Sequence, residues 1–182
     1  MLETVSVQAY SSHKASVLPD ISFKSLSSSG FSEVDMGFLA KLYATTRWDE
    51  VQQAPWSDQQ RKDFLQQQFD AQHKHYQLHY PKAHYLLIIK EKQAIGRVYL
   101  DRDDQSVCLI DIALLPEFKY HGLGTLLLKE LLLEAQVTNK KIVIHVEKFN
   151  PAYQWYLKNG FKQVEDKGVH QYMEWYPQAN KN

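Results

Sequence analysis

The chain has 182 residues, 44% of them hydrophobic, and its 21 basic side chains are balanced by 21 acidic ones. That length suits one domain with one sizeable core. The balanced charge, with no basic block, excludes the electrostatic footprint of a nucleic-acid binder, and no apolar run approaches the ~18 residues of a membrane span.

Residues 1–20 are polar and lack periodicity, and read as an N-terminal lead-in to a single domain over 21–177. Ile21 to Leu26 is a candidate first strand, and Ser27-Ser28-Ser29-Gly30 punctuates the chain. Ser32 followed by Asp35 is a loose capping box for a helix through Leu39, Leu42 and Tyr43. Pro55 breaks the next stretch. Ser57 with Gln60 is a cleaner box, opening a second helix to about His79, ahead of Pro81. Strand patterning then takes over. Tyr85–Ile89 and Ala94–Leu100 are apolar runs joined by Lys90-Glu91-Lys92-Gln93, which reads as a hairpin.

Val107 to Leu115 is almost continuously apolar, the pattern of a strand buried on both faces. It runs past Pro116 to Gly122-Leu123-Gly124 and into a leucine-rich helix, Leu123–Val137. Glycines at such a junction let backbone N–H groups approach an anion, and the helix N-terminus adds partial positive charge. Lys141–Val146 is a further strand. Asn150 as N-cap, Pro151 in the first helical position and Gly160 just past the end frame a short helix. Phe161–Val164 and Gln171–Tyr176 are the last strands. The strand–helix–strand unit over 107–146 predicts a right-handed parallel crossover, with antiparallel hairpins around it. The fold class is therefore α/β (α+β), a mixed and mostly antiparallel sheet with helices on both faces. Cys108 is the single cysteine, so no intramolecular disulfide forms, and a reducing compartment is expected. With no apolar leader at the N-terminus, the expectation is a cytoplasmic protein.

The glycine loop is neither GxGxxG, because position 127 is Leu, nor GxxxxGK[ST]. Pro116-Glu117-Phe118-Lys119-Tyr120-His121-Gly122-Leu123-Gly124 instead resembles motif A of the Gcn5-related N-acetyltransferases (GNAT), [QR]xxGx[GA] after a strand ending in Pro-Glu. Lys119 stands where that family usually has Arg or Gln, a point charge in place of a guanidinium fork. Asn150-Pro151-Ala152 through Tyr156 to Gly160-Phe161 resembles motif B, in the family's order. Gly96-Arg97 is also typical. The resemblance covers residues 83–176 well.

The resemblance implies a sheet whose central parallel strands splay apart to admit acetyl-CoA as co-substrate, with no metal. Backbone groups of Ile112, Ala113 and Leu114 are then expected to meet the pantetheine arm. Amides from Lys119, Tyr120, His121, Gly122, Leu123, Gly124 and Thr125 are expected to hold the pyrophosphate, with Asn150 at the start of the motif B helix also on the cofactor. Tyr156 matches the family's tyrosine and is the expected general acid for the departing thiolate. His145 and Glu147, two apart and so on one strand face, are the candidate bases, with Asp111 or an ordered water as alternatives. The implied activity is acetyl transfer to a primary amine of a small molecule or amino acid. Alternatives are a protein or peptide amine as acceptor, or a non-catalytic acyl-CoA sensor.

The acceptor region, from the first two helices, offers Thr45, Thr46, Arg47, Trp48, Asp49, Glu50 and Trp56. The acidic pair suits a cationic amine, and Arg47 suits a carboxylate. The expected partners are a small-molecule amine acceptor and, as in many relatives, a second copy of the chain as homodimer, with no nucleic acid or membrane. His73, His75, His79 and His84 lack an HExxH pattern and read as a solvated helix end rather than a metal site.

Overall fold

The structure, a computed structural model, describes residues 20–26 and 31–178. The lead-in up to residue 19 and the break at 27–30 lie outside the described residues. Seven strands form one sheet: β1 (Ile21–Ser25), β2 (His84–Lys90), β3 (Gln93–Arg102), β4 (Ser106–Leu114), β5 (Lys141–Glu147), β6 (Lys162–Lys167) and β7 (His170–Trp175), in the order β1-β2-β3-β4-β5-β7-β6. Every neighbouring pair is antiparallel except β4 and β5, which are parallel.

Among the described residues, four α-helices cover the sheet: α1 (Glu33–Val51), α2 (Asp58–His79), α3 (Leu123–Thr138) and α4 (Ala152–Lys158). The continuous apolar strands arise because both faces are covered. On β2, Tyr85 and Leu87 join Leu39, Tyr43, Leu65 and Phe69 of α1 and α2. The intervening Leu86 and Ile88 join Leu127, Leu128, Leu131 and Tyr156 of α3 and α4 on the opposite face.

The helix starts follow the sequence. Ser57 and Gln60 make the reciprocal capping box at α2. At α1 the box is half made: the Ser32 hydroxyl accepts from the Asp35 N–H, while the Asp35 carboxylate turns to Lys24 at 2.6 Å. The β2–β3 hairpin turns on Glu91 and Lys92, both left-handed at φ 48° and 66°. This is a two-residue turn without the glycine it usually carries.

Two irregularities prepare the site. Tyr99 pairs with Asp111 but Leu100 pairs with Leu109, so Ile110 is an extra residue, a β-bulge in β4. On its other edge β4 pairs with β5 only from Ser106–Lys141 to Leu109–Ile144. Beyond that point β4 continues to Leu114 and β5 to Glu147 without pairing. The central strands splay where the bulge bends β4 away. Below the splay, β3 presses against β4 at Gly96, where an added Cβ would lie 2.4 Å from the Ala113 carbonyl oxygen.

Candidate active site

The splay leaves a row of main-chain polar groups open at the centre of the sheet. The Leu115 N–H donates to the Ile95 carbonyl, toward β3. Alternation along the strand therefore turns the N–H and C=O of Ile112 and Leu114 toward β5, into the gap. Ala113 turns the other way, its carbonyl against Gly96, so its main chain belongs to the β3 ladder and not to the gap. That corrects the expectation for Ala113: the pleat offers alternate residues, not three in a row.

The gap runs into the glycine loop. After a short 3₁₀ turn, Pro116–Phe118, the chain adopts left-handed φ at Tyr120 (65°) and again at Gly122 (82°). Left-handed residues alternating with ordinary ones make the backbone concavities that bind anions. Gly122 is the N-cap of α3, and its carbonyl accepts from Leu126, so the amides of Leu123, Gly124 and Thr125 form the open first turn. Tyr120, His121 and Gly122 are exposed. A Cβ at Gly124 would make only ordinary contacts, 3.9 Å from Trp155 and 4.0 Å from Leu114. Beside the loop, Lys41, Thr45, Trp48 and Asp49 of α1 face Pro116, Lys119 and Tyr120 across a cavity of about 470 Å³.

Helix α4 seals the other side. The Asn150 side chain accepts from the Ala152 N–H at 2.9 Å, one residue ahead of the N-cap position, which Pro151 takes instead, and Gly160 adopts φ 90° just past the end. Trp155 donates its indole N–H to the Thr125 hydroxyl at 3.1 Å, tying α4 to the glycine loop. Tyr156, 6% exposed, packs against Phe161 and Trp155. Burial pushes its hydroxyl pKa up, and the Asp111 carboxylate pushes it further. The phenol therefore stays protonated, the state a proton donor requires.

On the opposite face, His145 and Glu147 project together from β5 while Ile144 and Val146 enter the core. Glu147 is taken by Arg47 of α1: the guanidinium Nη1 donates at 3.0 Å and Nη2 makes a second, shorter bond. Arg47 holds the carboxyl below its ordinary pKa, which makes Glu147 a poor base. His145 is exposed and lies 5.0 Å from the Tyr172 ring, centroid to centroid. Partial burial lowers its pKa, and Lys167 and His170 lower it further, so the imidazole is neutral near pH 7.

The GNAT acetyltransferase domain model matches residues 81–163, the stretch that holds the splay, the glycine loop and α4. Over that stretch the chain is similar to GNAT acetyltransferases. Solved structures agree in fold. PaiA N-acetyltransferase from Thermoplasma acidophilum, in complex with coenzyme A, is 19% identical with a TM-score of 0.60, covering 86% of this chain and 98% of that one. A GNAT family acetyltransferase from Elizabethkingia anophelis with acetyl-CoA bound is 16% identical, TM-score 0.53, over 87% and 99%. An acetyltransferase from Thermus thermophilus is 12% identical, TM-score 0.59, over 86% and 96%. No curated protein matches by sequence.

The residues of this site fit a CoA thioester. Ile112 and Leu114 present unpaired donors and acceptors to an amide-bearing arm, and the 120–125 turn presents free N–H groups to a pyrophosphate. One cluster was not read from the sequence. Arg97 and Tyr76 both donate to the Asp111 Oδ2, at 2.8 and 3.0 Å, and Arg97 also donates to Gln72 at 2.7 Å. The signal for it was the inner face of α2, where Tyr76 follows Leu65, Phe69 and Gln72 at helical spacing. His75 and His79 are exposed ring neighbours, and His79 Nδ1 lies 2.9 Å from the His75 carbonyl.

Proposed function

We propose that the chain is an acetyl-CoA-dependent N-acetyltransferase that acts on a primary amine of a small molecule or amino acid. The observation that carries this reading is the gap after Leu109 and Ile144, edged by unpaired main chain of Ile112 and Leu114 and ending at the glycine loop. Acetyl-CoA supplies the acyl group as a thioester, already activated for attack by a neutral amine. Ile112 and Leu114 orient the pantetheine arm by strand-like hydrogen bonds, and the loop amides neutralise the pyrophosphate.

His145, neutral near pH 7, accepts the proton that the amine loses as its nitrogen bonds to the acetyl carbon. Tyr156, held protonated by burial, gives its proton to the sulfur as the C–S bond breaks. One proton leaves nitrogen and one reaches sulfur, so the pair of groups is restored by exchange with water.

Thiol release from acetyl-CoA across polyamines, aminoglycosides, amino acids and short peptides tests this reading. Amine-dependent release is expected. Release no faster than hydrolysis with every acceptor, in folded protein that binds acetyl-CoA, would favour the non-catalytic sensor.

A further inference from the structure

We propose that Asp111 is a specificity-determining residue that receives the acceptor's ammonium, so that this site selects cationic amines lacking a carboxylate beside the amine. The inference rests on the acetyltransferase reading and narrows its acceptor class.

Asp111 stands at the right place. It is the first residue beyond the Ile110 bulge, where β4 has just parted from β5. Its neighbour Ile112 offers the first open main-chain edge of the gap. Tyr156 packs on the α3/α4 side and Asp111 on the α1/α2 side, and the Asp111 carboxylate still raises the Tyr156 pKa. The two therefore approach the apex of the gap from opposite faces, with the reacting centre between them.

Its carboxylate is also anchored on one side only. Both bonds to Asp111 fall on Oδ2, from Tyr76 and Arg97, and Oδ1 has no hydrogen-bond partner among the described residues. The side chain is 14% exposed, against 4% for Arg97. One oxygen is fixed by protein and the other is held, pre-oriented, for a donor from outside; the ammonium seated there gives one proton to water before its neutral nitrogen attacks, and His145 takes the second as the N–C bond forms.

The surrounding charge favours the same acceptor. The guanidinium that touches Asp111, Arg97, is buried and committed, so it is not offered to a substrate carboxylate. Arg47 is held by Glu147 and Glu50, and Arg97 is shared between Gln72 and Asp111 in a buried position. At Oδ1 of Asp111 an ammonium meets opposite charge, while an α-carboxylate beside that amine meets like charge.

The test is kcat/KM by thiol release for matched pairs that differ only in the α-carboxylate: tyramine and tyrosine, histamine and histidine, ethanolamine and serine. The expected result is a preference for the amine of at least about tenfold. In Asp111→Asn, KM for the amine rises by a similar factor and the preference narrows, with acetyl-CoA affinity by calorimetry unchanged. Because Asp111→Asn strands the Arg97 charge, the double variant Asp111→Asn/Arg97→Gln, which removes both charges, is measured beside it. Preference for the amino acids, or an unchanged amine KM in a variant that still binds acetyl-CoA, overturns the assignment. Absence of thiol release with every amine strikes the acetyltransferase reading itself; release without this selectivity strikes only Asp111.

Discussion

Gly96→Ala is the substitution whose effect follows most directly from the geometry. A methyl group there would sit 2.4 Å from the Ala113 carbonyl oxygen, 2.8 Å from Leu114 Cδ2 and 3.2 Å from Leu114 Cα. Two of these contacts are to backbone, which no side-chain rotation relieves. Ordinary contact requires β3 and β4 to separate by about 1 Å, an overpacking strain of about 1–3 kcal/mol. For a chain of this size that lowers Tm by about 2–4 °C per kcal/mol. The shift falls on the strand that carries Ile112 and Leu114, so the acceptor edges move relative to the glycine loop. A 1 Å misplacement of that kind costs on the order of 10² in turnover. Differential scanning calorimetry reads the first effect, and thiol release under saturating acetyl-CoA reads the second. A variant with the parent's Tm and kcat would refute the claimed close approach of the two strands and its link to the gap.

Gly124→Asp is expected to fold, since a Cβ there meets nothing closer than 3.9 Å, yet to lose acetyl-CoA binding in calorimetry through negative charge in the loop. Retained affinity would remove the pyrophosphate assignment. Tyr156→Phe is expected to lower kcat by about 10²–10⁴ with acetyl-CoA affinity intact, and full activity would end its role as acid. His145 serves as base only when neutral, and its surroundings lower its pKa. The kcat–pH profile should therefore be flat at neutral pH and fall on acidification, through a pKa below the ordinary histidine value. His145→Gln should abolish that limb, and Glu147→Gln should leave it in place; a limb that follows Glu147 instead would reverse the assignment.

Motifs that act through backbone were the most legible. Pro116, Gly122 and Gly124 announced the strand–loop–helix junction, and Asn150, Pro151 and Gly160 framed α4 where the structure has it. The gap itself was available only through family resemblance, because nothing in Leu109-Ile110-Asp111 marks Ile110 as the residue without a partner. A bulge is a mismatch between two strands, and one strand's sequence does not contain it. Strand β6 runs to Lys167, past the expected end at Val164. Its six residues are all exposed at the sheet edge, so no burial pattern extends the signal. Arg47 read as a free cation for an acceptor carboxylate because its partner, Glu147, lies 100 residues away. The Asp111 cluster was hidden for the same reason, since it joins α2, β3 and β4.

Seen mechanically, the parting of β4 from β5 makes the sheet two leaves. Strands β1 to β4 form one, β5 to β7 the other, and they are laced together only from Ser106–Lys141 to Leu109–Ile144. A ligand seated in the opening would act as a splint between the leaves, bonded along one of them as a strand would be. Its departure would then resemble the unzipping of a strand rather than diffusion out of a bowl.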